Sequence, residues 1–589
     1  MRARLLFGAA ASAFLLVSSV GAAPLSSDAL RALVQGGFCG PAEGLARRAA
    51  LGALMAGAEA YAQTLPGALD TPPPLMRGLG NAHLQITTSN AQAQAYFDQG
   101  LRMTHNFNHA EAIRAFREAQ RIDPECAMCY WGEAFALGPN INAPMDASDN
   151  ARAFEAAQLA AAKSANATPL EQALISAVQM RYARLAPADR AGLDAGFADA
   201  AAAVADQFPD SDLAQIVAAE AAMDTQPWDY WQDGGRTPKG RIGDALARVE
   251  RVLARSPQNE GAIHLYIHLA EASTDPWRAE RAAERLAAIS PAAGHLVHMP
   301  AHIYYRVGRY RDSMRANVAA SAADEAYIRA ANASPMYQYG YYPHNLHFVL
   351  TSAAMGGDAR TALTYADRLD ASLPIEMARA VPIAQPVKAA PWFARAQFAP
   401  PQAILDAQAP AEGVPLVTGA WRYARGMAQV RAGRVGEARA EAQALQTLID
   451  TGDFSQLVDG RVPAQDILKV YRLTLLAKAN MSERNFAQAI AEMEEAITLS
   501  QTLAYMEPPY IYYPLRRTLG AAYLMNGQPA RAEMEFLQTL IESPNDAYAY
   551  WGLAEARRLR GDRAGASAAR QLFNNAFLGA RSSVSLASL

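Results

Sequence analysis

One pattern of small and aromatic residues returns along this chain at helical spacing, and it restricts the fold more than any other feature. Its clearest copy is Tyr96, Gly100, Ala112, Phe116, Ala119 and Pro124. Small residues at Gly100, Ala112 and Ala119 let two helices approach closely. Phe116 fills the space between them, and Pro124 ends the second helix. A second copy reads Leu519, Gly520, Tyr523, Ala532, Phe536 and Pro544, and another unit follows near Ala547 with Tyr550, Leu553 and Ala566. Pro257 and Pro291 lie 34 residues apart, and further units phase from Gly308 with Ser313, Gly357 with Ala362, Gly433 with Ala438 and Arg484 with Ala489. This spacing predicts roughly eight to ten helical hairpins between residues 90 and 572. A single hairpin cannot bury its apolar face alone, so neighbours must stack, and the expected fold class is an all-α, right-handed α-solenoid. A composition of 51% hydrophobic and 19% charged residues supplies the core such an array needs and excludes general disorder.

The order of residues in these units resembles the tetratricopeptide repeat, and the chain is similar to secreted bacterial-type proteins built from it. The resemblance covers most of the chain beyond residue 90. It implies that first helices line a concave groove that receives a peptide, a protein or a small ligand. The remaining punctuation divides the chain. Residues 1–22 read as a signal peptide, and 23–90 as a non-repeat segment containing the stiff Pro72-Pro73-Pro74 step. An N-terminal block spans 91–224 and a histidine-rich block 225–380. The latter opens on an aromatic insertion with Trp228, Tyr230, Trp231, Gly234 and Gly235. A proline-containing break is expected at 381–417, a C-terminal block at 418–572 and a tail at 573–589. Thr168 and Glu171 around Pro169 read as a capping box that starts a helix.

Arg2 and Arg4 before a short apolar run, with small residues at Val20-Gly21-Ala22, describe a secretory leader cut after Ala22. The run is too short for a comfortable membrane span, and no other stretch suits one. A periplasmic or secreted protein is therefore expected. Formal charge is −4, and −6 once the two leader arginines are removed, which argues against a nucleic-acid partner.

Seven of the ten histidines fall between residues 264 and 347. His264 and His268 are four apart on one helix face, and Glu271 continues that face. His298 and His302 repeat the spacing 34 residues later, one repeat length on. His298 stands ten residues before Gly308, as His347 stands ten before Gly357, so His347 has the same register; Thr351 replaces the second histidine there. These five imidazoles are expected on one groove wall, with His295 and His344 at its edge and Glu271, Tyr305 and Arg306 within reach.

Three chemistries suit this pattern. Neutral imidazoles at i and i+4 form a bidentate metal clamp, here doubled one repeat away. Copper, iron and zinc all accept it, and copper is favoured by imidazole supply and export. A metal-free enzyme would use one histidine as general base, with Glu271 orienting it and Tyr305 or Arg306 holding substrate. The third is a hydrogen-bonded histidine network with no ligand. Protonation would make stacked pairs repel, so the region is expected to respond to pH. The reading taken forward is an exported scaffold whose histidine-lined groove binds a peptide, protein or small molecule, with a metal-dependent enzyme as the alternative and no membrane span.

Cys126 and Cys129 form a C-x-x-C whose readings are a local disulfide, reduced thiols, or a metal site with His105 and His109; Cys39 has no obvious partner. Two loops, 337–344 and 505–514, enter a helix through Tyr-Tyr-Pro and suit either a ligand rim or hairpin packing. No H-E-x-x-H, P-loop, G-x-S-x-G or strand-borne Rossmann fingerprint is present.

Overall fold

The computed structural model describes residues 72–589, apart from 143, 188, 331, 332, 335 and 461. The expected signal peptide, residues 23–71 and Cys39 lie outside the described residues. The chain is an all-α solenoid of stacked hairpins. Ala91–His105 pairs with His109–Ile122, Ala127–Leu137 with Asn150–Lys163, and Asp212–Asp224 with Ile242–Arg255. At the far end Ala464–Ser482 pairs with Phe486–Ser500, Arg516–Met525 with Pro529–Glu542, and Ala547–Leu559 with Arg563–Ala576.

The repeating glycine and phenylalanine have one geometric cause. Phe116 is fully buried, and a Cβ on Gly100 would lie 2.6 Å from its ring, one on Gly132 2.3 Å. The ring is therefore lodged between two successive first helices, each stripped of a side chain at the contact. Phe536 sits likewise between Gly520 and Gly552, at 2.7 and 2.3 Å from their notional Cβ atoms. Helix starts follow from local chemistry: Asn90 caps Gln92 and Ala93, Thr168 and Glu171 complete a capping box with Pro169 at the first turn, and Asn259 caps Ala262.

The aromatic insertion and the proline-containing stretch take local forms. Trp231–Gln232 pairs antiparallel with Thr237–Pro238 in a small hairpin. The 381–417 stretch holds the helix Gln385–Phe398, with Pro391 inside it, packed against Ala359–Ser372 and Pro415–Arg431. Cys126 and Cys129 are joined by a disulfide at the start of Ala127–Leu137. Among the described residues, no helix is long and apolar enough to cross a membrane.

The array curls back on itself. His105, at the end of the first helix, offers its carbonyl to His264, 159 residues on. From the other end, Tyr505 reaches Glu271, 234 residues away. Glu260–Glu271, in the middle of the solenoid, is thus contacted by the first helix and by the 505–514 segment.

Candidate metal centre

Every residue of Glu260–Glu271 is buried, so this helix is wrapped on all sides and His264, His268 and Glu271 share one enclosed face. The next first helix comes in two pieces, Gly294–His298 and Pro300–Arg306, because Pro300 brings no N–H to the ladder. Met299 keeps right-handed helical dihedrals, so His298 and His302 still share a face. A π turn, Tyr337–Tyr341, leads into Tyr342–Gly356, which carries His344 and His347.

These elements bring six imidazoles together as two triads. His264, His268 and His295 form one, His298, His302 and His344 the other, and within each the ligating atoms lie inside 4.8 Å of one another. His264 Nε2 is 3.1 Å from both His268 Nε2 and His295 Nε2. His298 Nε2 is 2.7 Å from His302 Nε2. Three nitrogens held about 2.1 Å from one ion lie about 3.4 Å apart, so the triads are near a ligating arrangement. The triads abut: ring centroids of His268 and His302 are 5.7 Å apart, those of His295 and His298 5.9 Å. Each is backed by a phenylalanine. Phe107 lies 4.4 Å from His264 and 5.5 Å from His295, and Phe348 lies 4.9, 5.0 and 5.1 Å from His298, His302 and His344.

The outward nitrogens decide which tautomers these rings hold. His264 Nδ1 donates to the His105 carbonyl at 2.7 Å, and His268 Nδ1 to Glu271 Oε1 at 2.7 Å. Both partners only accept, so both protons sit on Nδ1 and both Nε2 atoms present lone pairs. Two lone pairs facing each other at 3.1 Å cannot hydrogen-bond; a metal ion or an added proton between them resolves the contact. In the second triad His298 Nδ1 bonds Asn317 Oδ1 at 2.6 Å, while His302 Nδ1 meets Glu271 Oε2 at 2.6 Å and Glu507 Oε2 at 2.7 Å. Outward bonds to carboxylates and carbonyls are the second shell that orients metal-ligating histidines. Glu271 serves both triads, one oxygen to each.

Burial holds His264, His295, His298 and His344 well below the usual imidazole range, and neighbouring imidazoles push the same way. Burial also lowers His268, with Glu271 opposing. His302 is the exception. Burial works against its charge, but Glu271 and Glu507 outweigh it and raise it to about 10. Glu271 is held well below the carboxylate range by His302 and His268 despite burial. Glu507 rises to about 8 through burial and the Glu271 charge, with His302 opposing. Without metal, a proton on His302 occupies the second triad, while the first stays neutral.

The structure departs from the expected open groove wall. All seven histidines are at most 6% exposed, and the Phe107 loop and the 505–514 segment pack against their cluster. His295 and His344, expected at the edge, complete the triads. His347 stays outside them, its Nε2 2.7 Å from the Tyr512 hydroxyl, and burial lowers it to about 3. Thr351 returns its hydroxyl to the His347 carbonyl at 3.1 Å. Tyr305 and Arg306 line a separate cavity beyond Glu507. With Cys126 and Cys129 bonded to each other, His109 turns to the Ala136 carbonyl at 2.8 Å and to Asn140. Glu507, Asn317, Phe107 and the His105 carbonyl were missed from sequence; of these only Glu507 carried a signal, in the Tyr-rich 505–514 loop.

No family model matches the chain, and no curated protein matches it in sequence. Solved structures similar to it include Cut9 in its APC/C hetero-tetramer with Hcn1, at 14% identity over 92% of this chain and 82% of that one, TM-score 0.28. Human IFIT1 bound to m7Gppp-AAAA is similar at 12% identity over 84% and 91%, TM-score 0.28, and yeast Tom70 at 11% over 83% and 92%, TM-score 0.27. Scores this low carry no argument about this chain. Its tetratricopeptide-type fold is read from its own hairpins and their Gly-Phe-Gly packing.

Proposed function

We propose that this chain is a metalloprotein whose two histidine triads hold a pair of copper ions for redox chemistry, with the helical array as scaffold. The observation that carries the reading is the 3.1 Å approach of His264 Nε2 to His268 Nε2 while each Nδ1 faces an acceptor, an arrangement that assigns lone pairs to both inner nitrogens. Charge favours copper over zinc or ferrous iron. The donors are neutral imidazoles, and the nearest anions are Glu271 and Glu507. A cuprous ion brings less positive charge into an enclosed chamber than a divalent ion does, and imidazole nitrogens accept it. The reading reverses the preference drawn from sequence, since sealed imidazoles suit a metal better than a peptide. A periplasmic or extracellular location belongs to the same proposal, and the Cys126–Cys129 disulfide supports it.

Elemental analysis of untagged protein purified after copper supplementation tests the reading. Two coppers per chain are expected, falling to one in His264→Ala/His268→Ala and to one in His298→Ala/His302→Ala. Protein that takes up no metal on reconstitution, while keeping its helical circular dichroism, sinks it.

A further inference from the structure

A cavity of about 310 Å³ opens beside the second triad, and its lining includes Glu507, the residue at His302 Nδ1. Its volume is at the lower end for small-molecule sites. The walls are tyrosine rings from Tyr305, Tyr310, Tyr505 and Tyr512. Tyr305 and Tyr310 are 9% and 6% exposed, and among the described residues their hydroxyls have no hydrogen-bond partner. Arg306 stands with them. It packs over the Tyr505 ring at 5.5 Å, gives one bond to the Ser273 carbonyl at 3.2 Å, and makes no ion pair within 4 Å among the described residues. Of the other charged groups in the cavity, Arg516 pairs with Glu542 and Glu535, while Glu507 pairs with His302 and also feels the Arg306 charge.

We infer that this cavity binds a small aromatic carboxylate. Its ring would lie between tyrosine faces, where flat aromatic surface is favoured. Its carboxylate would meet the guanidinium of Arg306, which has no ion pair within 4 Å among the described residues, and the hydroxyls of Tyr305 and Tyr310, which have no hydrogen-bond partner there. The cavity adjoins the metal chamber by two routes. Glu507 contacts His302, and the Tyr505 hydroxyl lies 3.5 Å from Glu271 Oε2, the carboxylate common to both triads. That the bound molecule is the substrate of the metal pair rests on the reading above; that the cavity binds it does not.

The test is calorimetric titration of full-length protein of measured copper content with 4-hydroxybenzoate, cyclohexanecarboxylate and inorganic phosphate. One 4-hydroxybenzoate per chain is expected, with cyclohexanecarboxylate about tenfold weaker and phosphate silent. Arg306→Ala should weaken binding about tenfold or more, and Tyr305→Phe/Tyr310→Phe, which removes only hydroxyls, several-fold. Copper content should not change in either variant. Copper-loaded protein that gives no heat with 4-hydroxybenzoate overturns the inference and leaves the metal reading standing. Binding that survives Arg306→Ala but disappears in His298→Ala/His302→Ala places the probe on the metal and also overturns it. Binding through Arg306 in protein that takes up no copper on reconstitution supports the cavity and sinks the metal reading instead.

Discussion

The two triads have the same imidazole count and opposite electrostatics. The first, His264, His268 and His295, leans on a neutral backbone carbonyl and on one oxygen of Glu271. The second, His298, His302 and His344, has two carboxylates converging on a single Nδ1. Burial therefore keeps the first triad neutral, while the second holds a proton at His302 up to about pH 10. Imidazoles in matching triads are thus tuned by what stands behind them. A metal entering the first triad meets ready lone pairs, whereas one entering the second must displace a proton.

Glu271 is where this comparison breaks most sharply. Glu271→Ala removes an acceptor from His268, His302 and Tyr505 together, and urea unfolding should show a loss of about 3–5 kcal/mol, typical of breaking a buried charge pair. Copper should be lost from both triads. Retention of two coppers would show that the triads do not depend on their common carboxylate.

Single-ligand changes should separate the two halves. His264→Ala is expected to lower copper affinity in the first triad at all pH values above about 6.5. His302→Ala should abolish the second site and its pH dependence. In the intact protein, affinity at the second site should rise about tenfold per pH unit between about 7 and 9, and the first site should stay flat. Competition with a chelator across that range reads the difference, and equal slopes would erase the comparison.

The metal-free protein carries the same contrast as stability. His302 is raised in the fold, so its contribution is complete below the unfolded value near 6.5 and is lost as pH rises through about 10. Glu507, raised to about 8, loses in the same direction from about pH 4.5 upward. The first triad runs the other way. Its lowered histidines favour the fold above about 6.5, and that advantage disappears in acid as the unfolded chain takes up protons. Thermal melts should show His302→Ala flattening the alkaline limb and His264→Ala/His295→Ala the acid limb. Reduction of Cys126–Cys129 is the smallest change, roughly 2 kcal/mol for so short a closed loop, and should leave both copper sites untouched.

The hairpin pattern and the 34-residue register of His264 with His298 and of His268 with His302 were legible in sequence, because both follow from periodicity. The grouping into triads was half legible. His295 precedes His298 by three residues and His344 precedes His347 by three, so a shared position before each pair was visible. What periodicity could not supply was the direction of pairing. Each triad takes its third imidazole from the following hairpin, and that depends on how hairpins tilt against one another. His347 illustrates the limit: its register matches His298, yet Thr351 follows it and it turns to Tyr512. Glu507 and the His105 carbonyl are contacts made by the curl of the whole array, which no local spacing encodes.

The borrowed third ligand gives the sites an order in time. A ribosome that has finished Glu271 has supplied two imidazoles of the first triad, and the third follows with His295. The second triad then needs the whole stretch to His344, and its carboxylate Glu507 is made far later still. The side chains of the two triads are thus synthesised one set after the other, the proton-holding set last.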